Sequence, residues 1–336
     1  MFIFAVYIIG LIFTLMIAWC LGANDAANPT DCAVGSGVIS LRKALVLFSI
    51  FVFIGAILQG HMVMKTLSKG IVEYINLLGA FTVVFSIVIW LILCTWRGLP
   101  VSTTHTTIGA VVGYGLAAYG FNLNLDVIIK VLLGIILSPV LSLIFAIIFF
   151  KFLNNIFRKF SSEGNFEKLI KYLLISSLAF SAYCFGANDV GNATGVYVSV
   201  TEHFTGLPTR ETMLILALFG AAGISLGGFT WGYRVIQTVG YGITRLTPLM
   251  GLAAELSSAL VVWGFTTIPY IFFGWGLPIS TTHSSVGSII GVGLALGRKT
   301  VDRETVLKIV LAWVLTIPCV LVLSLAMFKF FSLWFW

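Results

Sequence analysis

Long apolar stretches, separated by short polar segments, follow one another along the whole chain. A stretch of about 20 apolar residues can cross a bilayer as a helix, and helices satisfy their own backbone hydrogen bonds in lipid. The pattern predicts helices over 2–21, 44–64, 71–96, 127–150, 172–185, 211–232, 249–273 and 305–335, with two more after the motifs described below. We therefore predict an all-α polytopic membrane protein.

The second half of the chain repeats the first. Four landmarks recur in the same order, with an offset that rises slowly from 164 to 179 residues: Asp25 with Asp189, Gly70 with Gly242, Ser102 with Ser280, and Pro139 with Pro318. A shared order with a slowly drifting offset indicates duplication of the whole half. We divide the chain into a first transmembrane repeat (1–150), a cytoplasmic basic linker (151–171) and a second transmembrane repeat (172–336).

The number of crossings sets the relative orientation of the two halves. Five crossings in each half, ten in all, would make the repeats inverted in topology. Most loop Lys and Arg, such as Arg42 and Lys43, then fall on one side, which the positive-inside rule assigns to the cytoplasm. We expect a multi-pass protein of the plasma membrane with both termini outside. If the segments after the polar motifs are re-entrant hairpins, the count changes but the duplication remains.

Composition excludes a soluble protein, since 59% of residues are hydrophobic and only 9% are charged. The net charge of +7 could suggest a nucleic-acid partner. The basic residues, however, lie singly or in small clusters between apolar segments, as loop anchors do. We expect lipid, and no nucleic acid, around this chain.

Two copies of Gly-Ala-Asn-Asp interrupt apolar helices, at 22–25 and 186–189. A bare charge inside a membrane helix costs several kcal/mol, and neither interruption contains Lys or Arg. A bound cation or a proton would balance the charge, and a helix-capping Asp is the simpler alternative. We predict Na⁺ at Asp25 and Asp189 of two broken helices. The candidate cation ligands are Asn24, Asp25, Asn28, Asn188, Asp189 and Asn192, with Glu255 as a further acidic candidate.

A second motif, Gly-Leu-Pro-[Val/Ile]-Ser-Thr-Thr-His, occurs at 98–105 and again at 276–283. Proline favours the first turn of a helix, and Ser or Thr caps its free N–H groups. Two such helix starts facing each other would cradle an anion, whereas Ser/Thr bonded back to their own helix is the alternative. The predicted substrate ligands are Ser102, Thr103, Thr104, Ser280, Thr281 and Thr282, together with Asp25 and Asp189. We expect His105 and His283 to support this site by hydrogen bonding.

The two motif pairs together resemble the inorganic phosphate transporter (PiT) family, over nearly the whole chain. The resemblance implies an inverted-repeat fold with broken helices, often dimeric, in which phosphate and coupling cations bind between the repeats. It matches the Asn, Asp, Ser and Thr positions named above, and Glu255 resembles an acid of the family's Glu-Leu-x-x-Ala segment. Lys65 stands where eukaryotic relatives carry Glu.

These observations predict a secondary active transporter that imports phosphate by symport with Na⁺ and needs no other cofactor. H⁺ coupling, a sulfate permease and an anion channel are the alternatives. The chain has no Gly-Lys-Ser/Thr nucleotide loop and no nucleophile with a base beside it. We therefore do not expect an enzyme.

Overall fold

The computed structural model describes residues 2–68, 71–72, 74–160, 164–205, 209–297 and 299–335, and over these ranges it contains helices and loops but no strand. The helices are α1 (Phe2–Asp25), α2 (Asp31–Gly35), α3 (Leu41–Gln59), α4 (His61–Ser68), α5 (Leu77–Trp96), α6 (Thr103–Tyr119), α7 (Leu125–Phe160), α8 (Gly164–Thr205), α9 (Arg210–Trp231), α10 (Tyr233–Gly242), α11 (Pro248–Phe273), α12 (Thr281–Leu296) and α13 (Arg303–Phe335). The predicted all-α class is confirmed.

Eight helices in the described ranges are long and apolar enough to cross a membrane: α1, α3, α5, α7, α8, α9, α11 and α13. The sequence-based count of ten also needed α6 and α12. These two helices have 17 and 16 residues, and both begin inside the molecule at buried serines. The count of ten crossings stays a prediction, since it depends on whether these two shorter helices, together with the extended segments before them, cross the bilayer.

The first Gly-Ala-Asn-Asp copy ends a helix, as predicted. Helix α1 stops at Asp25, and α2 starts at Asp31 after a short turn. Pro29 lies in this turn and has no N–H to continue the helical ladder. The Thr30 hydroxyl instead donates to the carbonyl of Ala26 at 2.6 Å. The break thus has a local chemical cause.

The second copy does not end a helix, contrary to the prediction. Helix α8 runs without interruption from Gly164 to Thr205, straight through Asn188, Asp189 and Asn192. The position that corresponds to Pro29 is Ala193, which keeps its N–H for the ladder. The two acids therefore lie on different backbones, one at a helix end and one inside a helix.

Both hydroxyl motifs separate two helices, as predicted. Extended backbone joins α5 to α6 and α11 to α12. Gly98 has a φ of 66°, in the left-handed region that favours glycine, and it turns the chain from α5 into the first motif. The chain therefore enters each motif extended and leaves it helical.

The basic segment 151–171, predicted as a linker, is largely helical. Helix α7 extends to Phe160 and α8 begins at Gly164, while residues 161–163 lie outside the described residues. The charged residues continue two membrane helices beyond their apolar parts. Lys171, for example, pairs with Glu167 one turn earlier at 2.9 Å.

The two halves are intertwined, because helices of one pack against helices of the other through matched glycines. A Cβ at Gly22 of α1 would collide with the carbonyl of Ile224 in α9. A Cβ at Gly186 of α8 would collide with the carbonyl of Val52 in α3. An offset of 164 residues relates Gly22 to Gly186, and an offset of 172 relates Val52 to Ile224. The same close approach therefore occurs twice, once with each half supplying the glycine.

The helices that follow the hydroxyl motifs show the same exchange. Gly113 of α6 lies against the carbonyl of Leu321 in α13, and Gly291 of α12 lies against the carbonyl of Leu143 in α7. An offset of 178 residues relates the two contacts. Each hydroxyl-motif helix is therefore held by a long helix of the opposite half.

The equivalent helices α1 and α8 run in opposite directions. Gly10, which precedes Asp25 along α1, lies so close to Tyr197 that a Cβ on it would be 2.6 Å from the tyrosine Cδ2. Tyr197 follows Asp189 along α8, and both acids lie beside Thr103. Since one helix approaches Thr103 from Gly10 and the other leaves it toward Tyr197, the two helices are antiparallel.

Candidate functional site

Asn24, at the end of α1, holds the backbone of the first hydroxyl motif. Its Nδ2 donates to the carbonyl of Leu99 at 3.1 Å and to the Thr95 hydroxyl at 2.8 Å. Its Oδ1 accepts the N–H of Val101 at 3.1 Å. Both ends of the amide are thus occupied, and Asn24 fixes the extended backbone just before α6.

Asn188 plays the same part for the second motif. Its Nδ2 donates to the carbonyl of Ile279 at 3.0 Å, and its Oδ1 accepts the N–H of the same residue at 3.3 Å. The Thr266 hydroxyl donates to that oxygen as well, at 3.2 Å. These hydrogen bonds make both asparagines positioning residues for the motifs, and their role as cation ligands stays a prediction.

The hydroxyl-motif helices begin at serine caps, as predicted, but Pro100 and Pro278 lie two residues before the caps and not in the first turn. Ser102 accepts the N–H of His105 at 3.2 Å, and Ser280 accepts the N–H of His283 at 3.1 Å. A side-chain cap of this kind satisfies one of the free N–H groups in the first turn. The dipoles of α6 and α12 give both helix starts a partial positive charge inside the protein, which favours an anion.

Side chains of the first half reach the second hydroxyl motif. Asn28 donates to the hydroxyls of Thr281 and Thr282, both at 3.2 Å. The Thr282 hydroxyl lies 3.2 Å from Oδ1 of Asp25, to which it can donate, and 3.4 Å from the carbonyl of Val101. The acid of the first half and the hydroxyls of the second therefore belong to one site.

The reciprocal contacts exist on the other side. Asn192 donates to the Thr104 hydroxyl at 3.3 Å and to Oδ1 of Asp189 at 3.0 Å. Thr104 donates to the carbonyl of Ile279 at 3.2 Å, which matches the contact of Thr282 with Val101. The contacts thus repeat in both directions between the halves.

Thr103 joins the two acids. Its hydroxyl lies beside both Asp25 and Asp189, and Thr281 also lies beside Asp189. The structure therefore brings together all eight predicted substrate ligands in one buried region: Ser102, Thr103, Thr104, Ser280, Thr281, Thr282, Asp25 and Asp189.

Three buried oxygens at this site have no hydrogen-bond partner: Asp25 Oδ2, Asn28 Oδ1 and Asn192 Oδ1. None of these residues is more than 4% exposed. A buried acceptor left unpaired is costly, and an unpaired carboxylate is more so. Carboxylate and amide oxygens are ligands for hard cations such as Na⁺, so these residues fit the predicted cation.

Basic side chains do not neutralise the two acids. In the described ranges, ion pairs occur between Lys171 and Glu167 and between Lys308 and Glu304, all of them exposed. Asp25 and Asp189 are fully buried and close enough to repel each other. The site thus combines uncompensated negative charge with helix N-termini that favour an anion, an arrangement suited to a cation and an anion bound side by side.

The two motif histidines contact each other. The rings of His105 and His283 lie edge to face, with centroids 4.5 Å apart. Nδ1 of His283 lies 3.3 Å from the carbonyl of Ile135. Both are buried in the first turn of their helices, where they join the starts of α6 and α12. Among the described residues, both ring nitrogens of His105 and Nε2 of His283 have no hydrogen-bond partner, so the two rings meet by packing and the expected hydrogen bonds to the site are not observed.

Glu255 belongs to a different group. It lies beside Asp31 and Cys32, and its strongest electrostatic partner is Asp31. Sequence reasoning missed Asp31 and Cys32 as chemical partners of Glu255, although Asp31 follows Asn28 by three residues. It also missed Trp313, which contacts both hydroxyl motifs from α13. An isolated tryptophan in an apolar span carries no signal that could have revealed this role.

Comparisons with known proteins agree with this geometry. Residues 21–324 match the model of the phosphate transporter family. The chain is 32% identical to a candidate phosphate permease of Pyrococcus furiosus, covering 96% of both chains, and 32% identical to one of Thermococcus kodakarensis, covering 93% of this chain and 94% of that one. A solved structure of a sodium-dependent phosphate transporter superposes with a TM-score of 0.85 at 28% identity, covering 98% of this chain and 99% of that one. With eight helices able to span a bilayer in the described ranges and a transporter's fold, this chain is a multi-pass membrane transporter, not an enzyme, and it belongs to the phosphate transporter family.

Proposed function

We propose that this protein imports inorganic phosphate by symport with Na⁺, at a site shared by the two halves. The observation that carries the proposal is the reciprocal contact between acids and hydroxyls. Asp25 and Asn28 reach Thr281 and Thr282, as Asn192 reaches Thr104. Phosphate would bind at the N-termini of α6 and α12, and Na⁺ at the carboxylates of Asp25 and Asp189.

Coupling follows from electrostatics. Two buried carboxylates oppose an anion, and a cation bound beside them removes that opposition. Na⁺ therefore raises the affinity for phosphate, and phosphate raises the affinity for Na⁺ by the same factor. The solved relative is described as sodium-dependent, which also favours Na⁺ as the coupling ion.

The free acceptors favour phosphate over sulfate. At neutral pH phosphate keeps at least one proton, whereas sulfate has none. Oδ1 of Asn28 and Oδ1 of Asn192 are buried without a donor and can accept a hydrogen bond from the protonated phosphate oxygen. A sulfate oxygen facing them would leave the acceptors unpaired, which is the kind of penalty that produces selectivity.

The antiparallel α1 and α8 support an inverted relation of the two repeats across the bilayer. With the basic loops inside, both termini lie outside the plasma membrane. The resemblance to the family supports a homodimer. To test the orientation, a cysteine introduced at Lys299, which is exposed, should react with an impermeant thiol reagent only from the cytoplasmic side. To test the homodimer, light scattering of the purified protein should give twice the chain mass.

Uptake into proteoliposomes tests the central proposal. Labelled phosphate should accumulate when Na⁺ is high outside, and cold phosphate inside should exchange with it. Uptake that ignores the Na⁺ gradient but follows a pH gradient would instead establish H⁺ coupling. Dissipation of any phosphate gradient without accumulation would establish an anion channel. Equal inhibition by sulfate and unlabelled phosphate would contradict the role given to the asparagine oxygens.

A further inference from the structure

A groove opens on the surface of the molecule between the end of α12 and the start of α13. It has a volume of about 420 Å³, which lies in the range of about 300–1,000 Å³ that small-molecule sites occupy. Aliphatic side chains of both helices and a single charged residue line it: Ile290, Leu294, Val306, Leu307, Val310 and Arg303. One cation at an otherwise aliphatic groove is the composition expected of a site for an amphipathic ligand.

The charged and apolar parts of the groove follow one another along α13. Arg303 is the first residue of the helix, and Val306, Leu307 and Val310 follow on the same face, three, four and seven residues later. The helix rises by about 10 Å between Arg303 and Val310. Since the apolar span of α13 also begins at Arg303, the charge lies near the membrane surface and the aliphatic face lies deeper. A phospholipid has the same order of phosphate and acyl chain.

The acids next to Arg303 have other partners. Asp302 accepts the N–H of Thr305 at 2.6 Å and so caps α13, while Glu304 pairs with Lys308. Among the residues that the structure describes, no ion pair includes Arg303. Arg303 is exposed at the groove, so its guanidinium can bind a phosphate group, to which arginine donates two parallel hydrogen bonds.

Further basic residues lie around Arg303. Segment 298–308 has four basic and two acidic residues. Arg245 adds another positive charge, because it lies two residues after Ile243, whose carbonyl accepts the N–H of Asp302 at 2.9 Å. This end of the groove therefore carries a net positive charge, which favours an anionic headgroup.

The corresponding end of the first half lacks this charge. Asn124 caps α7 as Asp302 caps α13, at an offset of 178 residues. At that offset Arg303 corresponds to Leu125, and segment 298–308 corresponds to 120–130, which has one basic and one acidic residue. A cationic groove in one half only fits a ligand found on one side of the membrane. In the orientation proposed above this side is the cytoplasmic leaflet, where anionic lipids give a negative surface.

We propose that the groove between α12 and α13 binds one anionic phospholipid, with its phosphate at Arg303 and an acyl chain along Val306, Leu307 and Val310. Basic pockets between membrane helices on the cytoplasmic side are a known mode of lipid recognition. Free phosphate would use the arginine but leave the aliphatic lining uncovered, whereas an acyl chain covers it. The site lies outside the proposed transport site and goes beyond the proposed function. Only the choice of leaflet rests on that proposal.

Native mass spectrometry of the purified full chain, titrated in detergent with phosphatidylglycerol, tests this site. The wild type should bind one phosphatidylglycerol more tightly than it binds phosphatidylcholine. Arg303→Gln should lower the affinity for phosphatidylglycerol about fivefold, and Arg303→Lys should recover part of the loss. Phosphatidylglycerol should also raise the unfolding temperature of the wild type more than that of Arg303→Gln, because a ligand of the folded state stabilises it.

Arg210→Gln is the matched control. Arg210 is an exposed arginine at the start of α9 that lines a different groove, of about 390 Å³, together with Glu211. Its loss removes the same charge from the opposite face and should leave the affinity of the tight site unchanged.

Val306→Trp tests the apolar part separately, because it fills the groove and keeps Arg303. It should also lower the affinity for phosphatidylglycerol. Glycerol phosphate, which has the headgroup chemistry without acyl chains, should not compete with the lipid. Competition by glycerol phosphate as strong as by phosphatidylglycerol would show a site for a free phosphate group and overturn the lipid.

The remaining outcomes are equally decisive. Equal affinities for phosphatidylglycerol and phosphatidylcholine, or unchanged binding by both Arg303→Gln and Val306→Trp, would overturn the proposal. If Val306→Trp instead turned a dimer into a monomer and left lipid binding unchanged, a second copy of the chain would be the occupant. Na⁺-driven phosphate uptake is measured independently of these titrations, so failure here leaves the proposed function untouched.

Discussion

The indole of Trp313 stacks on the imidazole of His283, with ring centroids 3.7 Å apart and planes tilted by 28°. The same indole donates its Nε1–H to the carbonyl of Pro100 at 3.0 Å. Pro100 belongs to the first hydroxyl motif and His283 to the second, so one side chain of α13 contacts both. The corresponding position in the first half is Gly134, and this contact is therefore not duplicated.

We expect Trp313→Phe to reduce phosphate uptake about fivefold without unfolding the protein. Phenylalanine keeps an aromatic ring against His283 but cannot donate to Pro100, and the net loss of such a bond is about 1 kcal/mol. The measurement is initial uptake into proteoliposomes, with thermal unfolding in detergent as the check on folding.

Trp90→Phe provides the control. Trp90 donates its indole N–H to the Thr316 hydroxyl at 3.0 Å and so joins α5 to α13 away from the motifs. Trp90→Phe therefore removes the same kind of hydrogen bond at a different place. It should lower stability by a similar amount and leave phosphate uptake near the wild-type rate. Equal effects of both variants on uptake would mean that Trp313 acts only through general stability.

Neutralising either central acid should abolish Na⁺-driven uptake. Asp25→Asn and Asp189→Asn each remove the charge that holds the proposed cation but preserve size and most hydrogen bonds. Loss of one partner of a buried charge contact costs about 2–5 kcal/mol, so the affinity for Na⁺ should fall by about 30-fold or more. Uptake measured over a range of Na⁺ concentrations checks this expectation.

The surface acid Glu304 gives the matched comparison. Glu304 is exposed and pairs with Lys308 on the same helix. Glu304→Gln removes one negative charge far from the hydroxyl motifs, and its Na⁺ dependence should be unchanged. Wild-type uptake by a correctly inserted Asp189→Asn protein would show that the coupling cation binds elsewhere.

Sequence reasoning located this site because its residues are duplicated. The Ser, Thr and Asp positions recur with constant neighbours, and Ser102 and Ser280 are of a residue type that caps helices. The prolines, expected in the first turn, lie two residues before the caps. It failed where the two copies differ in backbone. The motif around Asp189 resembles the one around Asp25, but Ala193 replaces Pro29 and α8 continues through it.

The sequence pattern could not predict which residues of one half contact which residues of the other. Nothing in the sequence shows that Asn28 faces Thr281, because the two residues are 253 positions apart. Asn24 and Asn188 have the amide groups of a cation ligand, and the sequence does not show that these amides also hydrogen-bond to the backbone of the hydroxyl motifs.

The matched glycine contacts predict a symmetric pattern of destabilisation. Gly22→Ala and Gly186→Ala should each lower stability, since the new methyl group meets a backbone carbonyl of a neighbouring helix that cannot move aside. Overpacking of this kind costs about 1–3 kcal/mol. The two variants should lose similar amounts, as measured by thermal unfolding in detergent and by the yield of folded protein.

Gly264→Ala is the control for this pair. Gly264 lies inside α11, and a Cβ there would have its nearest neighbour, Ile268 Cδ1, at 3.9 Å. The substitution should be neutral or stabilise the helix by up to about 1 kcal/mol, because alanine is the better helix former. If Gly22→Ala proved as harmless as Gly264→Ala, the close approach of α1 and α9 would be contradicted.

The two serine caps should matter for phosphate and not only for the helices. Ser102→Ala and Ser280→Ala each remove a cap worth about 1 kcal/mol and loosen the helix start that is proposed to face phosphate. We expect a rise in the KM for phosphate of about fivefold or more in each variant. Ser280→Thr keeps a capping hydroxyl and should restore most of the affinity.

Thr247→Ala separates capping from binding. Thr247 caps α11 by accepting the N–H of Met250 at 3.3 Å, away from both hydroxyl motifs. Thr247→Ala should lower the unfolding temperature about as much as Ser102→Ala and Ser280→Ala do, but it should leave the KM for phosphate unchanged. If all three alanine variants raise KM equally, the effect comes from helix stability in general. If only the motif serines raise it, the N-termini of α6 and α12 bind the anion.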